Sequence, residues 1–400
     1  MTIARQHGGL MKVLLTTFFC WALAHGTIGF SQIADNQDQD LDRDRIARLS
    51  DAPTSSTYAA GSSKAIGPIA EGMDSLIFNP ANTVRRVSSK KTPLTSYFNF
   101  PHVTIQSTEG SDSFLEKSAL AGQPSNTVLT EIVEDASQGQ YHFGRSTLLI
   151  PAIGIGRMIF APLYDLQFSA VKASDESEVV DLNYQRRVGG IAGLSFSDAK
   201  QEFALGISAA YFDMDQLRGD FLSSELADEE TQEQQFTDAT GAYSATSLTV
   251  GTTWRISGKA SPTISVTMKD FGGTEYTHKS GTGSDYKIEQ NTSVGFAISP
   301  ELSKWGFFNL VLETDKITDD ELSLDKKFHA SSGFDFGGRG DASWLSLFGG
   351  YDHLGGSYGG HINIGFIGLQ YATFNENIGT NATPITQQRQ SITASIDLAR

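Results

Sequence analysis

The chain has a single cysteine, Cys20, and it lies inside an apolar run near the start. One thiol cannot build a disulfide framework or a Cys-rich metal site. Basic residues are also scarce: 30 Lys and Arg stand against 46 Asp and Glu, for a formal net charge of -16 over 400 residues. Nucleic acid is therefore not an expected partner, because phosphate binding needs clustered cations. Beyond residue 31 no run of eighteen apolar residues occurs, so no spanning helix is predicted. Strong helix formers nowhere dominate for long. What is plentiful is Gly (40), Phe (25) and Tyr (12), a balance suited to aromatic-rich strands joined by glycine turns.

Residues 1–31 read as a secretory signal, with Lys12 as the positive flank and "VLLTTFFCWALA" as the apolar core. Met11 is a candidate start, and cleavage is expected after Ala24 or after Ser31; either removes Cys20. Residues 32–56 form a polar leader expected to be disordered. Asp38, Asp40 and Asp42 imitate the opening of a calcium loop, but Arg43 stands where Gly is needed and Leu49 where a bidentate Glu is needed. An exported β-rich chain has two homes, the soluble compartments beyond the inner membrane or the outer membrane itself.

In "EFALGISAAYF", Phe203, Leu205, Ile207, Ala209 and Tyr211 share one face of a strand, and small or polar residues share the other. The same division recurs at Leu248, Val250 and Trp254, at Ile264, Val266 and Met268, at Phe308, Leu310 and Leu312, and at Ile392, Ala394 and Ile396. A soluble sandwich also alternates, so connection lengths separate the two cases. The links "PAIG", "SDAK", "SGK", "SPEL", "GGRG" and Phe366-Ile367 are short. Those between them, such as "ASDESEV", "FGGTEYTHKSGTGS" and "ETDKITDDELSLDK", are mostly longer and polar. That rhythm belongs to an outer-membrane barrel, with short periplasmic turns and long outer loops. The expectation is an all-β transmembrane antiparallel β-barrel of about fourteen strands over residues 91–400. A helical insertion is expected at 107–140 and a long acidic outer loop at 214–243.

Ahead of the barrel, "YAAGSSKAIGPIAEGMDSLIFNPAN" resembles the start of the FadL-type long-chain fatty-acid transporter superfamily, including PorV-like and TraF-like outer-membrane proteins. Asp74, Asn79, Pro80 and Ala81 carry the match, supported by "DLNYQRRVGGIAGLSF", "KDFGGT" and "GFIGLQYATFNENIG". Two departures stand out: "SSKAIGP" replaces a glycine-rich run, and Arg400 ends the chain where an aromatic is usual. The resemblance implies that residues 57–90 form a hatch inside the barrel lumen. A lumen of this width cannot be filled by the side chains of its own wall. Asp74 and Asn79 could hydrogen-bond the polar wall. Leu76, Ile77 and Phe78 could pack or line a greasy passage, and Pro80 ends the helix behind them. These six are the candidate hatch or gate residues.

No catalytic residue, metal ligand or cofactor is expected. Gly355-Gly356-Ser357-Tyr358-Gly359 fits a nucleophile-elbow pattern, but it falls between strands. Arg339-Gly340-Asp341 sits in a predicted periplasmic turn. The resemblance, with the greasy hatch, implies passive passage of a small hydrophobic compound across the outer membrane of a Gram-negative-type bacterium, with outer-membrane lipid and the barrel-assembly machinery as partners. The alternative is a structural or secretion-accessory barrel whose outer loops hold a partner protein. A soluble β-sandwich adhesin is a third class.

Overall fold

Alternating faces and short turns produce one continuous antiparallel sheet that closes on itself. The computed structural model describes residues 56–83, 97–108, 141–172, 179–222, 229–303, 305–320, 322–338, 343–378 and 385–397. The signal, the leader, most of the 107–140 insertion, the Arg-Gly-Asp turn and Arg400 lie outside them. The strand segments are β1 (Tyr97–Ser107), β2 (Tyr141–Leu149), β3 (Ala152–Ile155), β4 (Met158–Lys172), β5 (Val179–Ser197) and β6 (Phe203–Leu222). They continue as β7 (Thr240–Arg255), β8 (Thr263–Lys269), β9 (Thr274–Gly281), β10 (Tyr286–Ile288), β11 (Asn291–Ile298) and β12 (Glu301–Ser303). The last are β13 (Gly306–Thr314), β14 (Phe328–Phe336), β15 (Leu345–Asp352), β16 (Gly355–Ile364), β17 (Ile367–Asn377) and β18 (Thr386–Asp397). Because β2 and β3 share one course, β8 and β9 another, and β10 to β12 a third, the wall has fourteen strands. It closes where β1 pairs with β18, from His102 opposite Ser395 to Ser107 opposite Gln390.

The outward face is apolar and open: Phe160, Phe196, Leu205, Ile207, Trp254, Phe296, Ile362, Leu369 and Ile392 are all exposed. Exposing so many large side chains to water would be untenable, so this surface faces hydrocarbon. Trp254, Trp305 and Trp344 are each more than half exposed and stand at the short-turn end, where indoles favour a membrane–water boundary. Inward positions are polar or small, as at Ser208, Thr249, Thr267, Asn309, Ser331, Ser391 and Thr393, all buried.

Wall height is uneven. β5 has 19 residues and β6 has 20, whereas β13 and β14 have nine each and β15 has eight. About 9–11 residues cross the hydrocarbon, so the tall side projects beyond it at the long-loop end. There the outward-facing Leu166, Phe168, Val180, Leu182, Leu217 and Phe221 are buried. Helix α3 (Glu229–Ala239) contributes Phe236, edge-on to Phe221 with centroids 5.0 Å apart.

This corrects the expected loop over 214–243. The chain stays in strand to Leu222, paired with Val179–Arg187 of β5, and α3 fills most of what precedes β7. Above the membrane the outward face is covered by protein, so charged and apolar residues mix and the lipid-facing alternation is lost. Likewise "FGGTEYTHKSGTGS" is largely β9, which pairs with the upper part of β7. "PAIG" belongs mainly to β3; the turn is Gly156-Arg157.

Candidate functional site

The segment before β1 folds as two short helices and a turn within the lumen. Helix α1 (Thr57–Gly61) starts at Ser56, whose hydroxyl accepts the Ala59 N–H at 3.1 Å. Helix α2 (Gly72–Phe78) carries Asp74 in its first turn, where a carboxylate suits the helix dipole. It stops because Asn79 precedes Pro80 and is pushed into an extended conformation, with Pro80–Asn82 following as a 3-10 turn. The fold implied by the resemblance, a barrel with a luminal hatch, is therefore present.

The hatch is tied to strands all round the ring. Thr57 Oγ1 lies 2.6 Å from Ser391 Oγ and 2.7 Å from Thr393 Oγ1 of β18. Ser63 Oγ lies 2.7 Å from Ser357 Oγ of β16, and Ser357 also donates to the Gly61 carbonyl at 3.1 Å. The serine of the elbow-like motif is thus a hatch contact on a strand. Ser331 of β14 donates to the Ala65 carbonyl at 2.7 Å, and the Gly67 N–H donates to Glu313 of β13 at 2.8 Å. On the opposite wall, Ser208 of β6 donates to the Leu76 carbonyl at 2.6 Å.

Asn79 is the most heavily used of the six candidates. Fully buried, it donates through Nδ2 to Thr253 Oγ1 at 2.9 Å and to the Thr252 carbonyl at 3.3 Å, and accepts the Ala81 N–H at 3.1 Å. Glycines let this turn sit on the wall: a Cβ at Gly251 would fall 2.1 Å from Asn79 Oδ1, and one at Gly206 would fall 2.2 Å from the Pro80 carbonyl carbon. Leu76 is fully buried in a cluster with Leu149, Ile191 and Phe212. Ile77 and Phe78 are half-buried and face a cavity, and the Lys269 ammonium stands over the Phe78 ring at 4.3 Å. Asp74 is half-buried and is absent from the cavity lining.

That cavity, of about 1,020 Å3, lies on the long-loop side of the hatch. Its floor is α1 and α2, and its walls carry more charge than the sequence suggested. Arg145, Arg389, Asp315, Asp352 and Glu376 all line it. Lys64 on the hatch pairs with Glu376 at 3.2 Å while remaining half-exposed. Glu376 holds the Lys64 pKa above its ordinary value against the opposing effect of burial. Burial by itself would raise Asp315, but the nearby His329, with Nε2 3.1 Å away, brings it below the usual carboxylate range.

A second polar cluster was not anticipated. Asp165, fully buried on β4, accepts hydrogen bonds from Arg145 Nε (2.8 Å), Thr147 Oγ1 (2.6 Å), Gln167 Nε2 (3.0 Å) and Arg187 Nη1 (3.3 Å). The signal available in the sequence was a charge at an inward position of an otherwise alternating strand, at Asp165 and again at Arg187. Among the described residues, no group of His, Cys, Asp and Glu is arranged to hold a metal ion.

No protein-family model and no curated protein matches the chain. Solved structures of similar shape include a toluene transporter TodX from P. putida, at 11% identity over 87% of this chain and 98% of that one, with a TM-score of 0.47. Another is the CymD monoaromatic hydrocarbon channel, at 11% identity over 85% and 97%, with a TM-score of 0.45. A third is a Pseudomonas aeruginosa FadL homologue, at 11% identity over 88% and 99%, with a TM-score of 0.34. Likenesses this distant carry no argument about function; the barrel stands on its own strand pairing and its closure through β1 and β18.

Proposed function

We propose that this protein is an outer-membrane barrel that passes a small, largely apolar compound through its lumen, with the hatch as the barrier. The observation that carries the reading is the cavity, which ends on Ile77 and Phe78 of the hatch beside Leu76. Ligand sites of this kind combine apolar surface with a few anchoring polar groups and need no cofactor. In this reading the compound enters from the long-loop side, rests on α2, and leaves when the turn at Asn79 and Pro80 shifts. The short-turn end faces the periplasm and the long-loop end faces outside.

The test is uptake of a hydrophobic dye into liposomes containing the purified protein. Uptake above that of empty liposomes, and faster still in a variant with a loosened hatch, is expected. No movement of any hydrophobic solute in either protein would refute passage. One observation favours a second reading, a structural or accessory barrel whose outer loops hold a partner protein: hatch ties reach β6, β7, β13, β14, β16 and β18, as a permanent plug would require. In that case a loosened hatch would leak ions and dye alike, whereas the native protein would carry neither.

A further inference from the structure

Lys269, the last residue of β8, is a cation of the wall that reaches both the cavity and the hatch. Its ammonium carries three hydrogen-bond donors. It rests over the Phe78 ring at 4.3 Å, and among the described residues it has neither a hydrogen-bond acceptor nor an ion-pair partner. Three carboxylates lie within its electrostatic reach, and each is held by other groups. Glu313 accepts the Gly67 N–H at 2.8 Å, Asp315 is paired with His329, and Asp270 accepts from Ser247 at 2.8 Å and from Thr274 at 2.6 Å.

Donors held against an apolar ring are best satisfied by an acceptor brought in by the ligand. Arg389 repeats the pattern: it also lines the cavity, and its Nε has no acceptor among the described residues. An uncharged acceptor fits better than a carboxylate. Cations and carboxylates are intermixed along the lining, and carboxylates outnumber cations among the described residues there. Glu313, Asp315 and Asp270 already offset the charge of Lys269, so an arriving anion meets their repulsion without finding an uncompensated cation. A pure hydrocarbon leaves the donors of the ammonium unused.

We infer that the cavity takes an uncharged compound with an apolar body and one acceptor group, such as an ester, ketone or ether, and that Lys269 is the residue that selects it. The body lies over Ile77 and Phe78, and the oxygen accepts a charge-assisted hydrogen bond from the ammonium. This rests on the proposed role of the cavity as the ligand seat, and it names the class of compound that fits.

The experiment compares four probes built on one ring: methyl cyclohexanecarboxylate, ethylcyclohexane, cyclohexanecarboxylate and cyclohexylmethylammonium. Binding to the detergent-solubilised full-length protein is measured by calorimetry against protein-free micelles. The ester is expected to bind about tenfold tighter than the hydrocarbon and than either charged probe. Lys269→Met, which keeps the apolar stem, should abolish the advantage over the hydrocarbon, and Lys269→Arg, which keeps a cationic donor over Phe78, should restore it. The ranking of the four probes on the native protein stands as a test by itself should Lys269→Met not fold. Equal binding of ester and hydrocarbon, tighter binding of the carboxylate, or an ester advantage unchanged in folded Lys269→Met overturns the inference. Selective binding of the ester without dye uptake into liposomes upholds it and refutes passage; dye uptake without selective binding does the reverse.

Discussion

Replacing Asn79 with alanine tests the hatch at its tightest point. The substitution keeps the backbone in place but removes three hydrogen bonds from a site with no exposed surface. Thr253 keeps a partner, since its hydroxyl also donates to Asn82 Oδ1 at 3.0 Å. The Ala81 N–H loses its side-chain acceptor. A neutral buried hydrogen bond contributes about 1 kcal/mol net, and an orphaned buried N–H costs about 1–3 kcal/mol. Undocking of the Pro80–Asn82 turn should therefore be easier by roughly 2–4 kcal/mol, which is a roughly 30- to 1,000-fold rise in the open population. Amide hydrogen exchange over residues 72–83, read by mass spectrometry in detergent, measures that opening directly. Heat-modifiable gel migration confirms that the barrel itself is intact. If those amides exchange as slowly as in the parent while the barrel is folded, the turn is not what holds the hatch.

Three further outcomes are expected. Asp165→Asn leaves Arg145 and Arg187 without their shared carboxylate, so the barrel should lose about 3–5 kcal/mol against denaturant; an unchanged midpoint would contradict the network. Ile207→Lys puts an ammonium on the lipid-facing side of β6 and should cost roughly 2–4 kcal/mol in a lipid-embedded unfolding titration, whereas no loss would mean this face does not meet hydrocarbon. Lys64 has its pKa raised by Glu376, so the stabilisation from that pair is complete below the ordinary value of 10.5 and fades as the pH climbs through the higher folded value. Because the pair is half-exposed, its loss should amount to less than about 1 kcal/mol, seen as faster hatch exchange above pH 10.5 that Lys64→Met abolishes.

Most of the barrel was legible because lipid on one side and a polar lumen on the other impose opposite demands on neighbouring residues. Phe203 to Tyr211 and Ile392 to Ile396 show this plainly. The reading failed where one of those demands lapses. Residues 214–222 rise past the membrane, their outward side meets α3, and their composition looks like loop although the backbone is strand. The bulge at Asp270–Gly273 misled for another reason: Asp270, Gly272 and Gly273 all have positive φ, a sound turn signal, yet the course resumes as β9 along the same neighbour. Asn79 and Pro80 could be picked out by resemblance and by the helix-stopping dipeptide. What they touch could not, because Thr252, Thr253 and Gly206 are more than a hundred residues away. Arg145, Asp165 and Arg187 stand some twenty residues apart in the chain and come together only once β2, β4 and β5 lie side by side.

The difference in stave length between β5–β6 and β13–β15 means that the sheet is a sleeve cut on a slant. On its low side the cavity is bordered by the link from Asp315 to Asp320, where the high side is sheet. In the proposed passage from the long-loop side, the described residues make the short staves the lower rim, and that link is its sill. Changes to the sill can alter what gets in while leaving every rung of the ladder untouched.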